Sequence, residues 1–283
     1  MHIFLAILEQ GLLLLPLVLG VYLSYRILKV TDLTVDGTYV LGAAVFARMI
    51  DFGVLVALSS SILAGAFIGV LVGLMQRRGR VSDLVVGILA SFMLYSANLQ
   101  ILGRPNISLI GKASLLSEAG LNDWIIMLVI ISAALVLGLL FLLRSRFGLF
   151  LRAFGHNQKL LNILGQPAEN YRIFGLSLSN ALAALSGALT AEVNCFADIN
   201  MGLGVALVGI GAVVIGGHIL IKPQENFAAI RGIASCFIGI MLYFLCLNGL
   251  LMAGINPVNL KLILGLVLFF TLRGVRKTDR VYL

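Results

Sequence analysis

Apolar residues run through this chain in long blocks, and charged residues gather in short clusters between the blocks. A helix rises about 1.5 Å per residue and the hydrocarbon core of a bilayer is about 30 Å thick, so one helical crossing takes roughly 20 apolar residues. Blocks of that kind predict about nine spanning or partly spanning helices. They lie near 4–27, 33–50, 53–76, 81–102, 123–143, 171–195, 201–221, 227–252 and 255–273. Two of them, 33–50 and 201–221, are short and contain glycine, which marks them as candidate broken or half-crossing helices. Runs such as Leu12 to Leu15 and Leu262 to Phe270 lack the alternation of a barrel strand. Only helices and closed barrels satisfy every backbone group in lipid, so the expected fold is all-α and polytopic.

The blocks suggest two halves of four spans, roughly 1–102 and 171–273, with an extra span and a long loop between them over 103–170. In each half a long helix leads through a polar, glycine-containing segment to a short span. The first segment reads Thr31-Asp32-Leu33-Thr34-Val35-Asp36-Gly37-Thr38, the second Asp198-Ile199-Asn200-Met201-Gly202-Leu203-Gly204. The odd span between the halves reverses the direction of equivalent helices, as in an inverted repeat within one transmembrane domain. In the third span Gly65, Gly69 and Gly73 share one helix face, a spacing that lets another backbone come close.

Composition removes the soluble alternatives. Of 283 residues 60% are hydrophobic and 11% charged, against about 45–50% and about 25% in soluble domains, and the mean hydropathy is +1.08. With 3 Cys, 5 Pro and 31 Gly, the last without a triplet period, neither a disulfide scaffold nor a collagen-like chain fits. Cys195, Cys236 and Cys246 lie in apolar runs and read as packing residues. The net charge of +8 does not indicate nucleic acid, because the cations sit between spans and no aromatic-interleaved basic face accompanies them. If the first span runs outside to inside, only Arg48, Arg104, Lys112 and Lys261 of the 20 lysines and arginines fall outside. The positive-inside rule then predicts an outer N-terminus and a cytoplasmic C-terminus. Without a basic n-region or an A-x-A-like cleavage site, the N-terminus reads as part of the mature chain.

No catalytic or metal-binding constellation stands out. The nearest approach to a phosphate-binding loop, Gly111-Lys112, has Asn106 at the first glycine position and Ala113 after the lysine. His2, His156 and His218 have no zinc-ligand spacing, which counts against an intramembrane hydrolase. Asp32 and Asp36 stand one helical turn apart and read as capping or pathway residues. Glu9, Asp36 and Glu192 fall near span ends; as interfacial acids or as path residues, they keep a proton-coupled secondary transporter or channel as the alternative reading. Candidate substrate-pathway residues are Thr34, Asp36, Thr38 and Asn98 in the first half and Asn180, Glu192, Asn194 and Asn248 in the second. Interhelical hydrogen bonding competes with that role at each of them.

The loop from Arg144 to Tyr171 is basic and longer than a connection needs. Leu160, Leu161, Ile163 and Leu164 form an apolar stripe beside Arg152, His156, Asn157, Lys159 and Asn162, which predicts a short amphipathic helix. Anionic lipid is one surface such a helix fits. The stretch Phe147-Gly148-x-x-Leu151-Arg152-Ala153-x-Gly155-x-Asn157, followed by Gly165, resembles the cytoplasmic loop of permease subunits of ABC importers of the branched-chain amino acid, sugar and nucleoside type. Glu9-Gln10-Gly11 and Asp32-Leu33-Thr34-Val35-Asp36-Gly37 resemble the tryptophan/tyrosine permease branch. The chain departs from the usual loop pattern at Gln158, Leu161 and Gln166-Pro167. The resemblance implies a coupling helix over Arg152 to Gly165 that docks into a groove on a separate ATPase, through Arg152, Gly155, His156, Asn157, Lys159, Leu160, Leu161, Leu164 and Gly165. It also implies that ATP and Mg are held by that partner and that this chain binds no cofactor. The further partners it implies are an extracytoplasmic binding protein, which delivers a small amino-acid-like solute, and a second permease copy. The implied setting is the bacterial cytoplasmic membrane.

Overall fold

The structure, a computed structural model, describes residues 2–77, 81–112, 123–220 and 229–254, together with 262, 265 and 266. The rest of the span expected at 255–273 lies outside the described residues. Helix α1 (His2–Val21) continues through a π-helical turn, Tyr22–Ile27, and is followed by α2 (Thr34–Met49), α3 (Val54–Met75) and α4 (Asp83–Leu102). Strand β1 (Asn106–Ser108) precedes α5 (Asp123–Arg144), α6 (Arg146–His156), α7 (Gln158–Ile163) and α8 (Ala168–Asn194). Strand β2 (Phe196–Asp198), α9 (Val205–Leu220) and α10 (Ala229–Met252) complete the described chain. Among the described residues 6 helices are long and apolar enough to cross a membrane, including Phe4–Ile27, Val54–Met75 and Ala168–Asn194. The chain is an all-α, multi-pass membrane protein.

The two segments expected to be short are short: α2 and α9 have 16 residues each, about 24 Å of helix, less than the hydrocarbon thickness. Both begin inside the bundle. The Leu33 carbonyl, at the head of α2, accepts a hydrogen bond from Ser91, about two turns into α4. From there α2 runs to the end where Arg48 meets the last carbonyls of α4. Helix α9 runs the other way, with Gly209 against Leu17 and Val21 and Gly217 beside Arg26. That end also gathers the end of α3, the start of α4 and the α6–α7 loop, and is called here the basic end.

Helix α8 is the axis of the bundle: 72% of its most apolar window is buried, against 17% for α5. The glycine face of α3 packs against it. A Cβ at Gly65 would lie 2.5 Å from the Asn180 carbonyl oxygen, and one at Gly73 2.8 Å from the Ile173 Cα. Packing and interhelical hydrogen bonds hold helices together where lipid is as apolar as leucine; Ser61 donates to the Gly42 carbonyl at 3.0 Å and Ser177 to that of Ala66 at 3.0 Å. Outward-facing Leu63, Phe67, Phe92, Ile130 and Phe141 are exposed, as suits side chains that face lipid. At the end opposite the basic one, β1 and β2 pair antiparallel, with Ile107 opposite Ala197, and join the segment after α4 to the segment after α8. Cys195 is half-buried immediately after α8. With φ at 56° it takes the left-handed position that closes α8, its N–H donating to the Glu192 carbonyl.

Candidate functional site

The segment Asp32–Gly37 lies where the two short helices begin. Asp32 Oδ1 accepts the Thr34 amide at 2.9 Å, an orphan donor of the first turn of α2. Its Oδ2 accepts from Asn180 Nδ2 at 2.8 Å, and the same nitrogen also reaches the Leu176 carbonyl at 3.0 Å. Thr38 Oγ1 lies 2.6 Å from Asn180 Oδ1 and 2.9 Å from the Thr34 carbonyl oxygen, so its one proton serves one acceptor at a time. Asp32, Thr34, Thr38 and Asn180 are all buried. The head of α2 and the Asn180 amide thus occupy both oxygens of Asp32.

Asp36 faces the other short helix. Its Oδ1 accepts the Ala206 amide at 2.6 Å and its Oδ2 that of Gly204 at 3.2 Å, so a carboxylate of α2 caps the start of α9. Gly202 lies directly on the Asp36 carbonyl, where a Cβ would collide. The two segments paired by the sequence pattern therefore meet, and each short helix has an aspartate at its N-terminus. Asp36 is half-buried, whereas Thr34, Thr38, Asn98 and Asn180 are buried within the chain. Asn98 Nδ2 donates to the Gly37 carbonyl at 2.9 Å. Asn248, half-buried on α10, donates to the Phe244 carbonyl at 2.9 Å and to Gln10 Oε1 at 3.3 Å. Glu192 is buried near the end of α8, and Asn194 is exposed.

The second cluster is the loop at the basic end. Ser145 caps α6 by accepting from the Gly148 amide at 3.3 Å. The Arg152 guanidinium donates to the Leu143 carbonyl in the last turn of α5. Gly155 presses on the Ile27 carbonyl at the end of the π-helical turn, again with no room for a Cβ. Phe147 and Phe150 stack around Tyr171 at 5.1 and 5.3 Å between ring centres, and Phe147 meets Phe174 edge-on at 4.6 Å. Helix α6 is thus fixed to α1, α5 and α8. Beyond it the surface turns outward: His156, Asn157 and Lys159 are exposed, His156 Nδ1 lying 3.0 Å from the Arg152 carbonyl oxygen. Leu161 is wholly buried, while Ile163 is 81% and Leu164 58% exposed. The expected apolar stripe is divided because α7 has only 6 residues and ends at Ile163. Gly165, at φ 72°, turns the chain there, and Gln166 closes the turn by donating to the Leu161 carbonyl at 2.9 Å. The side chains of Leu160 and Asn162 lie outside the described set.

At the opposite end Arg48 Nε and Nη2 donate to the Ile101 and Leu102 carbonyls at 2.6 and 2.7 Å, satisfying the C-terminus of α4. Lys112 pairs with Asp51 at 2.8 Å, so the lysine of the weak phosphate-loop match serves an ion pair. Both line a cavity of about 350 Å³ with Arg104 and Ser108. Arg172 of α8, buried and outside every motif of the sequence, is a further charged residue of the interior. A lone arginine one turn into a long helix, next to Glu169, was the available signal.

Residues 3–272 match the family described as the branched-chain amino acid transport system permease component. The chain is 58% identical over 279 residues to an uncharacterized protein of Rickettsia prowazekii (strain Madrid E), covering 99% of this chain and 100% of that one. It is 32% identical over 265 residues to the tyrosine transport system permease protein of Clostridioides difficile (strain R20291), covering 93% and 88%. To the ribose import permease protein of Escherichia coli (strain K12) it is 26% identical over 237 residues, covering 80% and 70%. No solved structure gives a significant match.

Proposed function

We propose, from the premise that this chain belongs to the branched-chain amino acid transport permease family, that it is the membrane-spanning subunit of an ABC importer for a small amino-acid-like solute. Its relative that carries tyrosine makes an aromatic amino acid the first solute to assay. The chain itself changes no covalent bond. ATP and Mg are held by a separate ATPase subunit, and an extracytoplasmic binding protein delivers the solute. The basic end faces the cytoplasm of a bacterial inner membrane, where the positive-inside bias directs it. Two copies form a homodimer with the path along their two-fold axis.

The observation that carries this reading is the division of labour in the α6–α7 loop. Its inner part, through Arg152 and Gly155, is fixed to the ends of α5 and α1. Its outer part presents Ile163 and Leu164 beside Lys159, an apolar tip with a basic flank. A rigid stem with an exposed apolar tip suits helix-in-groove docking. Movement of the ATPase then reaches α1, α5 and α8 as a displacement of α6. The transport cycle requires that the inward- and outward-open states differ in affinity for the solute.

We read α2 and α9 as equivalent half-helices of an inverted repeat. Their opposed directions and their meeting at Asp36 support this, and on that reading the proposed solute path runs near that carboxylate. Co-purification tests the docking assignment. The wild-type chain is expected to retain the ATPase subunit encoded with it, and Ile163→Asp with Leu164→Asp to lose it while keeping the wild-type elution volume. Retention by the double variant would contradict the assignment.

A further inference from the structure

We infer that Arg172 is the positioning residue through which the α6–α7 loop sets the placement of α3 and α4 against α8 at the basic end; the inference rests on the importer reading above. Arg172 lies in the second turn of α8 and is 6% exposed. Buried arginines are uncommon unless partnered, and the partners of this one lie on several helices. Its Nη1 donates to the carbonyl of Gln76, at the end of α3, at 2.8 Å. The same nitrogen is 3.7 Å from Asp83 Oδ1 in the first turn of α4. Its Nε is 3.8 Å from Glu169 Oε2, one turn back on α8. The Phe154 ring of α6, only 1% exposed itself, lies 5.4 Å from the guanidinium carbon.

This arrangement suits arginine in particular. The guanidinium donates to one carbonyl, stands within ion-pair distance of two carboxylates and lies over an aromatic ring, a combination a compact ammonium does not offer. One cation complements the negative end of α3 and the acid that opens α4. Helix α6 makes its broad contacts with α5, α7, α8 and the end of α1, so the Phe154–Arg172 stack is a side-chain bridge from the loop to α3 and α4. Helix α3 is already packed on α8 through Gly69 and Gly73, and Arg172 adds a buried polar tie where α3 ends and α4 begins. A shift of α6 moves Phe154, and Arg172 passes it to Gln76 and Asp83 at the basic mouth of the bundle.

The test uses Arg172→Met, Arg172→Lys and Asp83→Asn in the full chain. Spin labels at Lys159 and Val81, both exposed, report the distance between the loop and the start of α4 in nanodiscs; ATP-driven uptake and basal ATPase activity are measured in the reconstituted complex. Wild type is expected to give one narrow distance distribution. Arg172→Met should broaden it and lower uptake about ten-fold, with basal ATPase activity within about two-fold, a size typical of a coupling residue. Arg172→Lys should fall between them. Asp83→Asn, which changes the more exposed partner, should broaden the distribution even if Arg172→Met does not fold. A narrow distribution in Arg172→Met, or in Asp83→Asn if Arg172→Met does not fold, overturns the inference, as does uptake within about two-fold of wild type. The distance needs no ATPase, so broadening in a preparation whose wild type fails to transport with ATP would remove the importer reading and leave the role of Arg172 standing.

Discussion

The Asn180 side chain holds two elements of the interior at once, donating to Asp32 and lying within hydrogen-bond reach of Thr38. Asn180→Leu leaves the Asp32 carboxylate without that donor, and a buried polar group left unpaired costs about 1–3 kcal/mol, more when charged. The expected outcome is a lower thermal midpoint of the detergent-solubilised protein, with a smaller loss for Thr38→Val, which removes one interhelical hydrogen bond of about 0.6–2 kcal/mol. A midpoint unchanged in Asn180→Leu would show that the cluster does not hold the bundle together. Asp36→Ala removes the cap on α9, a loss of about 0.5–2 kcal/mol. It should impair uptake while the protein still assembles; normal uptake kinetics would take Asp36 out of the path.

Between elements, backbone proximity decides the outcome. Gly69→Leu places a bulky side chain against the Leu176 carbonyl of α8 and should prevent recovery of folded protein, whereas Leu63→Ala on the exposed side of α3 should be nearly neutral by size-exclusion profile. Gly155→Ala pushes α6 off the Ile27 carbonyl, so ATPase activity of the complex should persist while uptake falls; equal loss of both would place its effect on assembly. Among the described residues the apolar helices were legible because hydrocarbon thickness fixes how long an apolar run must be, and the glycines of α3 were legible because close packing needs small residues at a regular spacing. The partners of the polar residues were not. Asp36 bonds amides 168 and 170 positions away, and nothing in local spacing records which distant helix start a carboxylate will meet. The loop reads as one amphipathic stripe, yet the short α7 buries Leu161 and exposes Ile163 and Leu164, a division set by where α7 ends rather than by period.

Over the whole molecule, the interior and the basic end do different work. Short helices start back to back at mid-bundle around two aspartates, while the loop, the end of α1 and the Arg172 cluster gather where the charges are. Under the proposed orientation the basic end and the C-terminus are both cytoplasmic, so a reporter fused after Leu283 should be active only in its cytoplasmic form; periplasmic activity would reverse the orientation. The most direct test of the central claim is solute accumulation in proteoliposomes that contain two copies of this chain with the ATPase subunit, supplied with loaded binding protein. Uphill uptake that requires ATP on the side of the α6–α7 loop, and that stops when the ATPase is omitted, is the predicted result. Accumulation by this chain without ATPase or nucleotide, driven by a proton gradient, would contradict it.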